Sequence, residues 1–160
     1  MSRSARQSTI EPAAKTRLRL WLKLLKLSRQ VEGDLRDNLR AEFQTTLPRF
    51  DVMAALHRFP KGLLMSELSA ALKVSNGNVT GIIDRLVNDA LVTRAAVPGD
   101  RRALCVKLTA AGKKEFLKQA GQHEGWVDDL LGNLSRNDAK QMIALVEKAF
   151  SNNSREPSGR

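Results

Sequence analysis

The sequence predicts a mainly α-helical fold carrying one small β-hairpin, and three observations support it. Apolar residues recur at spacings of three and four over most of the 160 residues. Two short helical segments lie either side of a tight turn, and directly after them two β-prone runs flank Pro98-Gly99-Asp100. With 42% hydrophobic and 28% charged residues, the chain has the composition of one that buries a core.

Residues 1–15, small and polar with Pro12, read as a flexible arm. From Thr16, Leu20, Leu24, Leu27, Val31, Leu35, Leu39 and Phe43 trace one stripe down a long helix. Pro48 suits the first turn of a second helix, marked by Phe50, Val52, Met53 and Leu56 and stopped by Pro60 and Gly62. Ser66 is the expected cap of a third, Glu67 to Leu72. Lys73-Val74 then turns the chain, and Ser75 is the expected cap of a fourth. The period of 3.6 puts Val79, Ile82, Ile83, Leu86 and Val87 on one side of that fourth helix. It puts Gly77, Thr80, Gly81, Asp84, Arg85 and Asn88 on the other. Leu91–Ala96 and Ala103–Leu108 form the predicted hairpin. Thr109 caps a long helix through Phe116, Ala120, His123, Val127 and Leu130, and Ser135 with Asp138 resembles a capping box before a last helix ending near Phe150. Residues 151–160 read as a disordered tail. This order, with two short helices and a hairpin between longer ones, is that of a winged helix-turn-helix.

Lys and Arg number 27 against 17 Asp and Glu, a net charge of +10 that favours polyanionic partners, nucleic acid first and anionic membrane second. No run approaches the roughly 18–20 apolar residues of a membrane span, and the basic start lacks a secretory signal, so no membrane partner and a cytoplasmic location are expected. The single cysteine, Cys105, excludes an internal disulfide framework and multi-cysteine metal sites. His57 and His123 have no second ligand at metal spacing, so no metal is expected. Without a phosphate loop, nucleophile elbow or paired-carboxylate motif, the chain reads as a non-enzyme without a cofactor.

A reading helix needs an apolar back and a low polar front that can approach base edges. The fourth helix has both: Ser75, Asn76, Gly77, Asn78 and Thr80 open it with amides, a hydroxyl and little bulk, and Arg85 follows one turn on. A soft helix start is the plainer reading of Asn76-Gly77-Asn78 alone; the basic hairpin beyond it favours DNA. Gly81 costs about 1 kcal/mol relative to Ala inside a helix, so something is expected to use the missing side chain. Arg94, Arg101 and Arg102 make the hairpin a candidate for the minor groove, with Asp100 expected to hold Arg102 in place.

The segments Val74 to Arg94, Pro98-Gly-Asp-Arg-Arg and Leu108-Thr-Ala-Ala-Gly-Lys resemble the recognition helix, wing tip and following helix of the MarR family of transcription regulators. The resemblance covers about residues 18–150. It implies a homodimer on a pseudo-palindromic operator in double-stranded DNA, with a DNA-binding part at about 47–112 and dimerisation helices at about 16–45 and 110–150. Ala90 stands where the family has glycine, and a left-handed turn would be strained there, so the helix end is expected to differ. Thr46-Leu-Pro-Arg-Phe-Asp-Val-Met, with Val74 to Gly81, is similar to a subgroup of hydroxycinnamate-responsive repressors that sense CoA thioesters. That finer likeness implies release from DNA by a small aromatic acid or its thioester, in a cleft between the first, second and fifth helices. Arg36, Arg40 and Arg49 are its candidate phosphate ligands, with Phe50, Met53 and His57 beside them. Solvated helix charges or phosphate contacts to DNA are the alternative for each arginine. A ligand-independent DNA-binding or architectural protein of the same fold is the alternative function. Peroxide-sensing relatives use a cysteine near the start of helix 1, so Cys105 reads as an inert thiol.

Overall fold

A computed structural model describes residues 12–151. Its elements are α1 (Ala13–Phe43), α2 (Leu47–Arg58), β1 (Leu63–Leu64), α3 (Met65–Leu72), α4 (Asn76–Asn88), β2 (Val92–Val97), β3 (Asp100–Leu108), α5 (Ala110–Leu130) and α6 (Arg136–Ser151). The arm and tail lie outside the described residues, except that α1 begins at Ala13, inside the stretch read as arm, and α6 ends at Ser151, the first residue read as tail. At 31 residues α1 is about 46 Å long.

The core sits where α2, α3 and α4 close over the sheet. Leu39, Val52, Leu56, Leu68, Val79, Ile83, Leu86, Val92 and Val106 are buried there, joined by Phe50 and Phe116. The back of α4 is therefore fixed by Val79, Ile83 and Leu86, as the 3.6 period requires. Only Leu35 and Leu39 of the α1 stripe are buried; Leu18, Leu20, Trp21 and Leu22 face outward.

The antiparallel sheet has the order β1-β3-β2, with Leu63 opposite Val106 and Arg94 also opposite Val106 on the other edge. Strand β2 is shifted one residue along from the expected run, β3 begins three residues earlier than expected, and the pairing has an irregularity between Ala96 and Val97. Strand β1 was not foreseen, because two residues are too few to show alternation. Its pairing changes the start of α3: the helix begins at Met65, and the Glu67 carboxylate accepts from the Leu64 N–H at 2.8 Å, so Ser66 is not the cap. Ser75 occupies the N-cap position of α4 but its hydroxyl makes no cap bond. Thr46 and Thr109 do cap, accepting from Arg49 N and Gly112 N, and Ser135 exchanges bonds with Asp138.

The end of α4 keeps a left-handed turn despite lacking glycine. Ala90 has φ +58, and Leu91 N–H returns to Leu86 O at 2.9 Å. An L-residue there is roughly 1 kcal/mol less favourable than glycine, partly offset by glycine's larger freedom when unfolded. Ala90→Gly is therefore expected to stabilise the protein by about 0.5 kcal/mol, read as a rise of about 1–2 °C in the thermal midpoint.

Candidate nucleic-acid interface

Lys73 in the left-handed conformation turns the chain between α3 and α4, with Val74 N–H returning to Ser69 O at 3.3 Å. That turn presents the N-terminal front of α4 outward. Ser75, Gly77, Asn78, Thr80, Gly81 and Arg85 are all exposed. A Cβ added at Gly77 or Gly81 would meet nothing within 4 Å, so no internal packing requires either glycine. The front of the helix is low because it is open, which suits close approach of an external surface.

The wing is braced to this helix. Arg94 on β2 donates to Asp84 on α4, at 2.6 Å, and both groups are partly exposed. Sequence reasoning assigned Arg94 to DNA and missed Asp84, because a contact from helix to strand ten residues on has no periodic signature. The side chains of Asn76, Arg101 and Arg102 lie outside the described residues, and with them the expected hold of Asp100 on Arg102. Backbone pairing puts Asp100 opposite Val97 at the start of β3.

The expected effector residues are not brought together. Arg36 and Arg40 border a cleft of about 640 Å³ between α1 and α4, whose other wall includes Gly77, Asn78, Gly81 and Arg85. Arg49, by contrast, pairs with Asp89 at the end of α4, so it is committed elsewhere. Phe50 and Met53 are core residues, Phe50 stacking on His123 at 4.6 Å and meeting Phe116 at 5.5 Å. His57 packs on Phe116 at 4.8 Å. Phe50 and Met53 of α2 thus point inward, while Arg36 and Arg40 border the cleft that α1 and the start of α2 form with α4. Asp51 also borders this cleft, and burial, then the nearby charge of Glu32, holds its carboxyl above the usual range.

Burial lowers His123 below its ordinary value. The unfolded chain then takes up the proton first, so the associated stability is present at neutral pH and lost as pH falls through 6.5. Thermal midpoints measured between pH 7.5 and 5.5 are expected to fall more steeply for the parent than for His123→Phe.

A sequence profile of the MarR family matches residues 43–103, the segment from the end of α1 to the wing. A MarR family transcriptional regulator from Silicibacter pomeroyi, solved by crystallography, is 36% identical, covers 94% of this chain and 99% of its own, and superposes with a TM-score of 0.74. The chain belongs to the MarR family. Its relatives are transcription regulators, not enzymes. The HTH-type transcriptional regulator BilQ of Clostridium symbiosum is 29% identical over 87 residues, 54% of this chain and 60% of BilQ, so the match spans less than two thirds of that relative. A mutant of E. coli MarR complexed with operator DNA shares the fold, with a TM-score of 0.71 and 23% identity over 86% of this chain and 98% of its own. Among the described residues of this MarR-family chain, no helix is long and apolar enough to cross a membrane.

Proposed function

We propose that this MarR-family regulator is a homodimeric repressor that reads a pseudo-palindromic operator with α4 and is released by a small aromatic anion. The observation that carries the reading is the position of the α1–α4 cleft. A ligand held by Arg36, Arg40 and Arg85 would touch Gly77, Asn78 and Gly81 on the helix that faces DNA. Ligand and DNA would then compete for, or differently arrange, the same helix face, which is the differential affinity that ligand control requires. The fold shared with the E. coli MarR–operator complex supports the DNA-binding part. Outward Leu18, Leu20 and Trp21 on α1 and Ile143, Leu145 and Phe150 on α6 support the dimer, since apolar surface of this extent marks an interface.

In this reading Ser75, Asn78 and Thr80, with Asn76, contact bases or phosphates, and Arg101 and Arg102 carry the wing into the minor groove. Arg94 is a brace. Asp84→Ala and Arg94→Ala should each weaken operator binding by a similar factor, and the double variant no further. A phosphate contact by Arg94 would instead reduce the salt slope in Arg94→Ala alone.

The test is a mobility-shift titration on DNA flanking the protein's own gene, repeated with aromatic acids and their CoA thioesters. Release by one of these compounds, reduced in Arg36→Ala and Arg40→Ala, supports the reading. Tight binding that no compound in the set disturbs favours the ligand-independent DNA-binding protein instead.

A further inference from the structure

The buried back of α4, Val79, Ile83 and Leu86, keeps that helix on the core, but apolar contact is non-directional and sets a helix angle less sharply than bonds between named atoms. Two ion pairs supply the direction, from different sides. Asp84 meets Arg94 on the wing, and Asp89, five residues on and about 140° round the helix, meets Arg49 in the first turn of α2. The second contact is unfavourable for each partner alone. An acid at the C-cap opposes the helix dipole, and the Arg49 side chain is only 20% exposed, its Nε buried without an acceptor. The Asp89 carboxylate, accepting from Arg49 Nη2, supplies the charge that offsets this burial. Arg49 is itself held: its N–H donates to Thr46 Oγ1 at 3.4 Å, and Phe50, Val52 and Met53 just beyond it are core residues. A cation fixed on the anchored α2 thus grips the closing end of α4.

We propose that Arg49 and Asp89 are a positioning pair for operator reading: they fix the angle of α4 against α2, and with it the placement of Asn78 and Thr80 at the base edges, without touching DNA themselves. The inference rests on α4 as the reading helix. A contact at the closing end governs the opening end because the helix is stiff. Asp89 lies eleven residues beyond Asn78, about 16 Å along the axis, so a tilt of about 5° displaces Asn78 by about 1.4 Å relative to Asp89. A shift of that size breaks a hydrogen bond to a base edge. Sequence preference depends on such bonds, whereas the attraction of a chain with net charge +10 to phosphate does not.

The test measures, by fluorescence anisotropy, binding of the full chain to two labelled duplexes: one carrying the motif that the parent enriches from random DNA, and a scrambled duplex of the same length and composition. The parent is compared with Arg49→Met, Asp89→Ala and the double variant. The single substitutions change the net charge in opposite directions, so electrostatics alone would weaken binding in the first and strengthen it in the second, on both duplexes alike. Positioning predicts instead that both lower the ratio of motif to scrambled affinity, each by roughly tenfold, and that the double variant lowers it no further. Lost stability alone would reduce both affinities together and leave the ratio unchanged. Should Asp89→Ala fail to fold around the unpaired Arg49 charge, the double variant, which leaves neither charge, decides by the same tenfold loss. The inference is overturned if the folded variants keep the parent's ratio, or if the two single effects follow charge with opposite signs. A parent that enriches no motif overturns the reading of α4 and the inference with it; a parent that does, with variants that keep its preference, overturns the inference alone.

Discussion

Gly112→Ala is expected to destabilise the protein by roughly 3 kcal/mol or more, lowering the thermal midpoint by about 10 °C. A Cβ at Gly112 would sit 1.9 Å from Leu91 O and 2.8 Å from Leu91 C. The Leu91 backbone has nowhere to go, because its carbonyl accepts from Thr109 N–H at 3.0 Å and its own N–H is held by Leu86 O. Thr109 completes the clamp: its hydroxyl donates to Ala90 O at 2.8 Å and accepts from Gly112 N–H at 2.9 Å. The end of α4, the first wing strand and the start of α5 are thus stitched within a few residues, and a single methyl group must break the stitching. Circular dichroism melts check this directly. A midpoint within 2 °C of the parent would show that the junction is looser than these distances imply.

Charging α6 should have the largest functional effect. In one chain α6 buries none of its residues, and Ile143, Leu145 and Phe150 are 58%, 65% and 69% exposed. If a second copy covers them, Ile143→Asp with Phe150→Asp places two carboxylates in an apolar interface, where an unpaired charge is strongly unfavourable. The variant should sediment at half the parent's mass and bind a two-half-site operator about a hundredfold more weakly, because the second half-site no longer benefits from linkage to the first. A parent that is itself monomeric, or a variant that remains dimeric, contradicts the assignment of this face.

What could be read beforehand follows the physics of each signal. The back of α4 was legible because Val79, Ile83 and Leu86 repeat at helical spacing and all three are fully buried. The Thr109 and Ser135 caps were legible because capping is local. Strand β1 was not, since Leu63–Leu64 is defined only by its partner β3, some forty residues away. The same limit separates the expected effector set. Arg36 and Arg49 look alike in sequence, but tertiary packing sends the first to the cleft and the second to Asp89.

The most direct test of the central claim, that α4 reads DNA sequence as part of a two-fold dimer, is selection of binding sites from a pool of random DNA duplexes. The parent should enrich a pseudo-palindrome with half-sites about 10 base pairs apart or a multiple of that. Asn78→Ala should retain non-specific affinity and salt dependence while losing enrichment at base positions within each half-site. A parent that enriches no motif, or an Asn78→Ala variant that enriches the same motif equally well, would contradict the account.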